Sequence, residues 1–145
     1  MRLELYNLKY FIVSVVNSIK HIPGYEGINA DMLTESWKTA MKAGTGVAYG
    51  YSRNGNPTGI LLGVYVDSPL SGEREASEYF WAVHPDERKN GIALNLLREF
   101  EDDARKAGCK SVVIGCSEYF KPDSLSRLYC RVGYSPVIRS FKKKL

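Results

Sequence analysis

Between residues 83 and 97 the chain reads Val83-His84-Pro85-Asp86-Glu87-Arg88-Lys89-Asn90-Gly91-Ile92-Ala93-Leu94-Asn95-Leu96-Leu97. This stretch follows an apolar, strand-like run and opens a helical pattern. The first N–H groups of a helix have no partner within the helix, and the helix dipole is positive there, so such a loop suits phosphate oxygens. Gly91 lets a ligand approach the backbone closely, and Arg88 adds a fixed positive charge. The stretch therefore predicts a site for a pyrophosphate-bearing molecule.

Residues 83–93 and 128–134 contain three motifs that resemble those of the GNAT family of N-acyltransferases. Arg88-Lys89-Asn90-Gly91-Ile92-Ala93 matches Arg/Gln-x-x-Gly-x-Gly/Ala, the pattern of that family's coenzyme A pyrophosphate loop. Just before it, Val83-His84-Pro85 resembles the Val-x-Pro that ends the family's fourth strand. Further on, Leu128-Tyr129-Cys130-Arg131-Val132-Gly133-Tyr134 resembles its Leu-Tyr-x-x-x-Gly-Phe/Tyr segment. Two motifs in the right order are more specific than one glycine pattern, and the resemblance covers roughly half the chain.

The resemblance implies a mixed α/β (α+β) fold in one acyltransferase domain over residues 1–145. Its central sheet would be twisted, with about six strands and helices on both faces. Two central strands of that sheet would separate to admit the pantetheine arm of the coenzyme. A length of 145 residues suits a single domain with a sizeable core.

Hydrophobic periodicity and turn residues divide the chain into alternating elements. Asn7 is the expected N-cap of the first helix, and Asn54-Gly55 is a hairpin signal. The predicted strands are residues 2–6, 46–51, 58–67, 78–83, 111–116 and 136–141, and the predicted helices are 7–21, 31–43, 92–107 and 124–131.

Cysteine spacing, apolar runs and net charge indicate the compartment and the kinds of partner. The three cysteines have neither CxxC nor zinc spacing, which favours a reducing compartment, and we expect a cytoplasmic protein without a metal. No apolar run approaches the length of a membrane span, so a membrane partner is not expected. The net charge of +4 includes the run Lys142-Lys143-Lys144, interpreted as a solvated end, so nucleic acid is not an expected partner.

By the resemblance, the cosubstrate is acetyl-CoA. Its pyrophosphate would lie on the loop from Arg88 to Ala93, and its pantetheine along the end of the preceding strand. Many relatives carry an asparagine where this chain has Pro122, and a neighbouring polar residue, Asp123 or Ser124, would replace that contact. The cofactor-binding residues implied are Trp81, Ala82, Val83, Arg88, Lys89, Asn90, Gly91, Ile92, Ala93 and Ser124.

The resemblance also assigns catalytic roles. Tyr129 matches the family's tyrosine, which protonates the leaving thiolate as general acid. The glutamate that serves as base in some relatives corresponds to Ser77 here, so Glu78 is the candidate base. Glu75 or a water relay are the alternatives. His84 occupies a variable position of its motif and is a weaker candidate.

These features predict an N-acyltransferase that moves an acetyl group from acetyl-CoA to a primary amine by direct attack in a ternary complex. The alternative is an inactive acyl-CoA-binding sensor or interaction module, favoured by Ser77 and Pro122. The resemblance implies that residues 7–44 and 68–75 would select the acceptor, a small molecule or a protein amine. Homodimerisation is left open. Glu118 and Ser117, which end a strand, are further candidates for contact with coenzyme or acceptor.

Overall fold

The computed structural model of the protein describes residues 1–117 and 121–145. Two compact units make up the chain, Met1–Gly115 and Cys116–Leu145, and the single domain expected over residues 1–145 stays a prediction. Nearly all regular structure lies in the first unit. In chain order the elements are α1 (Leu5–Ile19), α2 (Ala30–Lys42), β1 (Gly46–Arg53), β2 (Asn56–Asp67), β3 (Arg74–Val83), a 3₁₀ turn (Pro85–Glu87), α3 (Ile92–Lys106), β4 (Ser111–Val113) and α4 (Pro122–Arg131).

The strands of the described residues form one twisted sheet in the order β1-β2-β3-β4. The first three strands are antiparallel, and β4 runs parallel to β3. Asn54 and Gly55 join β1 to β2 with φ angles of 52° and 79°. Two positive φ angles are the signature of a tight type I′ turn, which confirms the hairpin predicted from Asn-Gly.

Helices α1 and α2 cover one face of the sheet. The buried side of α1 packs on Ile60 and Leu62 of β2, while Trp37 of α2 donates its indole N–H to Val47 O at 2.9 Å. The α1 helix begins at Leu5, because Asn7 Oδ1 accepts a hydrogen bond from the backbone N–H of Glu4 at 2.9 Å. Asn7 therefore lies inside the first turn and is not the N-cap.

Helix α3 covers the opposite face. Phe100 is fully buried there against β2, and its ring stacks on Tyr65 at 6.4 Å between centroids. Gly59 and Gly63 leave room for this helix, since a Cβ at Gly63 would lie 2.5 Å from Phe100. The mixed α/β class and the helices on both faces of the sheet are thus confirmed.

The number of strands predicted from the sequence was wrong. The described residues contain four strands and not about six. Residues 2–6 contribute one isolated bridge, from Arg2 to Tyr49, before α1 begins. Residues 136–141 belong to no strand, and Val137 and Ile138 are about four-fifths exposed. Local alternation favours extended backbone, but a strand exists only when a neighbour pairs with it.

Candidate active site

The ladder between β3 and β4 is short. It pairs Glu75 with Ser111 and ends where Ser77 meets Val113, although β3 continues to Val83. Beyond this point the N–H of Gly115 donates to the side chain of Glu78 at 2.9 Å, and not to the β3 backbone. The two parallel strands therefore separate at Glu78.

A β-bulge decides which carboxylate lies at this separation. Phe80 pairs with Leu62 and Glu78 pairs with Gly63, so Tyr79 is an extra residue in β3. A bulge reverses the alternation of side chains on one side of it. As a result Glu78 shares the α3 side of the sheet with Trp81, and Tyr79 instead packs on Trp37 at 5.2 Å between ring centroids.

The other two candidate positions differ from Glu78. Ser77 points to the opposite face, and Glu75 lies in the paired part of β3, where it accepts a hydrogen bond from the hydroxyl of Ser111 at 3.3 Å. Glu78 is partly buried, and burial raises the pKa of its carboxyl, while the Gly115 N–H partly offsets that rise. A carboxylate with a raised pKa accepts a proton more readily near neutral pH.

After β3 the chain turns at once into the predicted anion loop. The Nδ1 atom of His84 accepts a hydrogen bond from Asp86 N at 3.2 Å, which caps the 3₁₀ turn. This contact gives His84 a local structural role. Arg88 then turns back, and its Nε donates to Val83 O at 3.3 Å. The loop is thus tied to the end of β3 by a side chain of the motif itself.

Gly91 ends the loop as the N-cap of α3, with a φ of 73°. Its conformation is left-handed, and no side chain caps the helix, so the first N–H groups of α3 remain available to an anion. Ile92 is buried, and a Cβ at Gly59 would lie 2.9 Å from it, so Ile92 can offer a ligand only its backbone. Ala93 is partly exposed.

The loop residues before Gly91 differ in their exposure to solvent. Lys89 and Asn90 are exposed, whereas Arg88 is partly buried. Burial lowers the pKa of Arg88, and its charge interaction with Tyr25 opposes that effect. Asn90 does not adopt the left-handed backbone that its residue type tolerates; among the loop residues Gly91 does so. The side chain of Asn90 instead donates to Glu87.

The strand-end residues Trp81, Ala82 and Val83 contribute unequally. Ala82 belongs to the core beneath α1, and Val83 is 6% exposed. Their side chains are packed within the protein, so any contact they make with a coenzyme would come through the backbone. Trp81 pairs with Leu61 and is partly exposed on the α3 side.

The second unit carries the other candidate residues. Helix α4 begins at Pro122, so Ser124 lies in its first turn and accepts a hydrogen bond from Arg127 at 3.4 Å. The N-cap of α4 is Lys121, with a φ of 41°, and Asp123 and Ser124 follow inside the helix. Tyr129 is partly buried, 6.4 Å from Tyr134 between ring centroids. Ser117 lies at the edge of the described residues and Glu118 outside them.

Comparison with known proteins decides the family. The model of the acetyltransferase (GNAT) family matches residues 15–134. The protein belongs to the GNAT family. The match spans the anion loop and the Tyr129 segment, the two regions on which the sequence resemblance rested.

Solved structures share this GNAT fold along almost the whole chain. A ribosomal-protein-alanine N-acetyltransferase from Brucella melitensis is 19% identical, with a TM-score of 0.73 and coverage of 100% of this chain and 98% of that one. A predicted acetyltransferase with acetyl-CoA from Clostridium acetobutylicum is 14% identical, with a TM-score of 0.75 and coverage of 99% and 94%. A glucosamine-6-phosphate N-acetyltransferase from Arabidopsis thaliana is 13% identical, with a TM-score of 0.76 and coverage of 99% and 95%.

Sequence reasoning missed one contact beside the candidate site. Arg53, at the end of β1, forms an ion pair with Glu87 just before the anion loop, with 3.1 Å between Nε and Oε2. Nothing local in the sequence marks a contact between residues so far apart in the chain. The hairpin signal at Asn54-Gly55 fixes where Arg53 lies in β1, but not which loop it meets.

The residues that the structure describes lack two kinds of feature. None of their helices combines the length and the apolar character needed to cross a membrane. No group of three or more metal-ligating side chains comes together among them either.

Proposed function

We propose that this protein is an acetyl-CoA-dependent N-acetyltransferase that acetylates a primary amine. One observation supports the proposal: three features follow each other along one stretch of the chain. They are the partly buried carboxylate of Glu78, the end of β3, and the N-terminus of α3 after Gly91, which no side chain caps. Membership of the GNAT family supports the same reaction.

The coenzyme would be held by its pyrophosphate. The N–H groups at the start of α3 would donate to the phosphate oxygens, and Arg88 would contribute charge. Glu78 lies on β3, the strand that leads into the loop, at the point where β3 separates from β4. A pantetheine arm that ran from the loop along β3 would bring the thioester towards Glu78, and a backbone N–H near Ala82 or Val83 would serve as oxyanion donor.

The transfer is a direct displacement. The amine nitrogen attacks the thioester carbonyl carbon, a C–N bond forms, and the C–S bond breaks. Glu78 takes the proton that the amine loses, directly or through water, and the hydroxyl of Tyr129 protonates the departing thiolate. The products are an acetamide and free coenzyme A. Tyr129 is assigned this role by the family motif that surrounds it.

The reactive group of the proposed acceptor is a primary amine. The similar structures include enzymes named for a ribosomal-protein alanine and for glucosamine 6-phosphate, one a protein amine and the other a sugar amine. Both classes present a primary amine to the thioester. We therefore propose a primary amine, on a protein or a small molecule, as the acceptor.

The first test is a thermal-shift titration of the purified protein with acetyl-CoA, with free coenzyme A and ATP alongside. A ligand at a hundred times its Kd should stabilise the fold by about 2.7 kcal/mol. Stabilisation by both coenzymes and little by ATP is expected. A lack of stabilisation at millimolar acetyl-CoA would overturn the proposal.

Thiol release with a panel of amines then separates an enzyme from a binding module. Turnover with protein N-termini, lysines, polyamines, amino sugars or aminoglycosides would establish transfer and name the acceptor class. Tight coenzyme binding without turnover on any amine would favour the sensor, which the serine at position 77 and the proline at position 122 also favour.

A further inference from the structure

Glu87 immediately precedes the loop from Arg88 to Ala93, which is expected to bind an anion. Glu87 is the last residue of the 3₁₀ turn, and its side chain is 17% exposed. A negative charge this close to a phosphate site weakens binding unless another charge neutralises it.

A hydrogen-bond donor and a cation meet at the same oxygen of this carboxylate. Asn90 donates from its side-chain amide to Oε2 of Glu87, and Arg53 approaches that oxygen with Nε at 3.1 Å. The backbone N–H of Asn90 also donates to Glu87 O at 3.2 Å. Glu87 thus connects the 3₁₀ turn to the residue before Gly91, and Arg53 offsets its charge.

The β1–β2 hairpin holds Arg53 in place. Its tip is attached to α1 by the hydroxyl of Tyr10, which donates to Gly55 O at 3.1 Å. The type I′ turn at Asn54 and Gly55 places Arg53 opposite Asn56 in the ladder. Because the hairpin is fixed at both its ladder and its tip, Arg53 is presented to the loop from a rigid element.

Besides the contact between Glu87 and Asn90, the hydrogen bond from Asp86 N to His84 Nδ1 at 3.2 Å restrains the 3₁₀ turn before the loop. Arg88 ties the loop to Val83, and Gly91 provides no side-chain cap for α3. Donors fixed in position bind an anion more tightly than donors that must be ordered on binding. The hydrogen bond between Glu87 and Asn90 restrains the residue just before Gly91, so it helps to fix the start of α3.

We propose that Glu87 is a positioning residue for the coenzyme site: it holds Asn90 and the N-terminus of α3 in the phosphate-binding conformation, and Arg53 from the β1–β2 hairpin neutralises it. This inference rests on the proposed function. The β1–β2 hairpin, which lies outside the family motif, then influences the affinity for coenzyme A without touching the reacting atoms.

The test measures coenzyme binding by titration calorimetry and steady-state kinetics for wild type, Glu87→Ala, Asn90→Ala and the double variant. We expect each single variant to raise the Kd for coenzyme A about tenfold, the equivalent of about 1.4 kcal/mol. The double variant should be no weaker than Glu87→Ala, because both changes remove one shared contact. KM for acetyl-CoA should rise while kcat at saturation stays unchanged, a split that general loss of structure would not produce.

A control variant removes an exposed ion pair elsewhere. Asp102 pairs with Arg105 at 2.8 Å on the exposed side of α3, so Asp102→Ala should leave the Kd unchanged. Arg53→Met should raise the Kd more at low salt than at high salt, because it leaves the charge of Glu87 unneutralised.

Failure of the proposed function and failure of the positioning role give different results. If wild type does not bind coenzyme A, the proposed function is overturned and the inference with it. If wild type binds but Glu87→Ala binds within twofold of it, or more tightly, the positioning role alone is wrong. Additive losses in the double variant would also contradict it.

Discussion

The carboxylate of Glu78 accepts a hydrogen bond from the backbone N–H of Gly115 at 2.9 Å, where β3 and β4 cease to pair. In a continuous parallel ladder a β3 carbonyl would take such an N–H. Here a side chain takes it, so the carboxylate is fixed at the opening between the strands. Burial and this one hydrogen bond together set its proton affinity.

Replacement of Glu78 by Gln should lower kcat by about 100- to 10,000-fold, the range typical of a lost general base. The amide oxygen of Gln can still accept from Gly115, so the fold and coenzyme affinity should be retained. Thiol release measured against pH should show wild-type kcat/KM rising as Glu78 ionises. In Glu78→Gln that limb should disappear.

Glu75→Gln is the matched control for this prediction. It removes a carboxylate from the same strand at a position that is fully paired with β4, and activity should stay near wild type. Loss of activity in Glu75→Gln alone would identify Glu75 as the base. Full activity in both variants would point to a water relay.

Glu78 also makes stability depend on pH in a defined direction. Burial raises the pKa of its carboxyl, so the folded protein holds this proton more tightly than the unfolded chain. The contribution of Glu78 to the free energy of unfolding therefore falls as pH rises from the ordinary glutamate pKa through the raised one. Urea unfolding from pH 4 to pH 8 should show Glu78→Gln gaining stability relative to wild type as pH increases. A difference that stays constant over this range would contradict the assignment.

The sequence predicted features whose causes are local. A glycine at the start of an apolar helical pattern indicates the loop at Gly91, and Asn54-Gly55 indicates the hairpin, because both follow from backbone preferences. The choice of Glu78 over Ser77 depends on a bulge at Tyr79, which is set by pairing against β2. Periodicity along one strand carries no information about such a register shift.

Local sequence patterns also failed to indicate one ion pair and wrongly predicted one strand. The ion pair between Arg53 and Glu87 joins separate elements, so neither residue is marked by its neighbours in the chain. Residues 136–141 have a strand-like pattern, but no described strand pairs with them. Both outcomes are decided by tertiary contacts, and local propensity is a weak guide to those.

Gly91→Ala should weaken coenzyme binding and stability together. Gly91 has a φ of 73°, which costs an alanine about 1–2 kcal/mol. Relief of that strain would move the N–H groups at the start of α3 away from the phosphate oxygens. Gly44→Ala is the control, since Gly44 has a φ of 77° and open space beside it, far from the loop in sequence. Both variants should lose similar stability by urea unfolding, and Gly91→Ala alone should lose affinity. Equal affinity in the two variants would contradict the placement of the coenzyme.

Gly63→Ala tests the packing of α3 on the sheet. A new Cβ would lie 2.5 Å from Phe100, and overpacking of this kind typically costs about 1–3 kcal/mol. Gly27→Ala is the control, because no atom lies within 4 Å of a Cβ there. Urea unfolding should show a clear loss for Gly63→Ala and little change for Gly27→Ala. Equal stability of the two variants would show that Phe100 moves aside without cost.

Tyr129→Phe should separate the chemistry of the second unit from its packing. The phenylalanine keeps the ring that lies 6.4 Å from Tyr134 and removes only the hydroxyl. If that hydroxyl protonates the thiolate, kcat falls about 100-fold or more while the Kd for acetyl-CoA holds. Tyr134→Phe removes a hydroxyl from the neighbouring ring and should leave kcat near wild type. A leaving thiolate needs less help from an acid at low pH, so the deficit of Tyr129→Phe should shrink there. A deficit that is independent of pH and shared by Tyr134→Phe would assign both rings to structure.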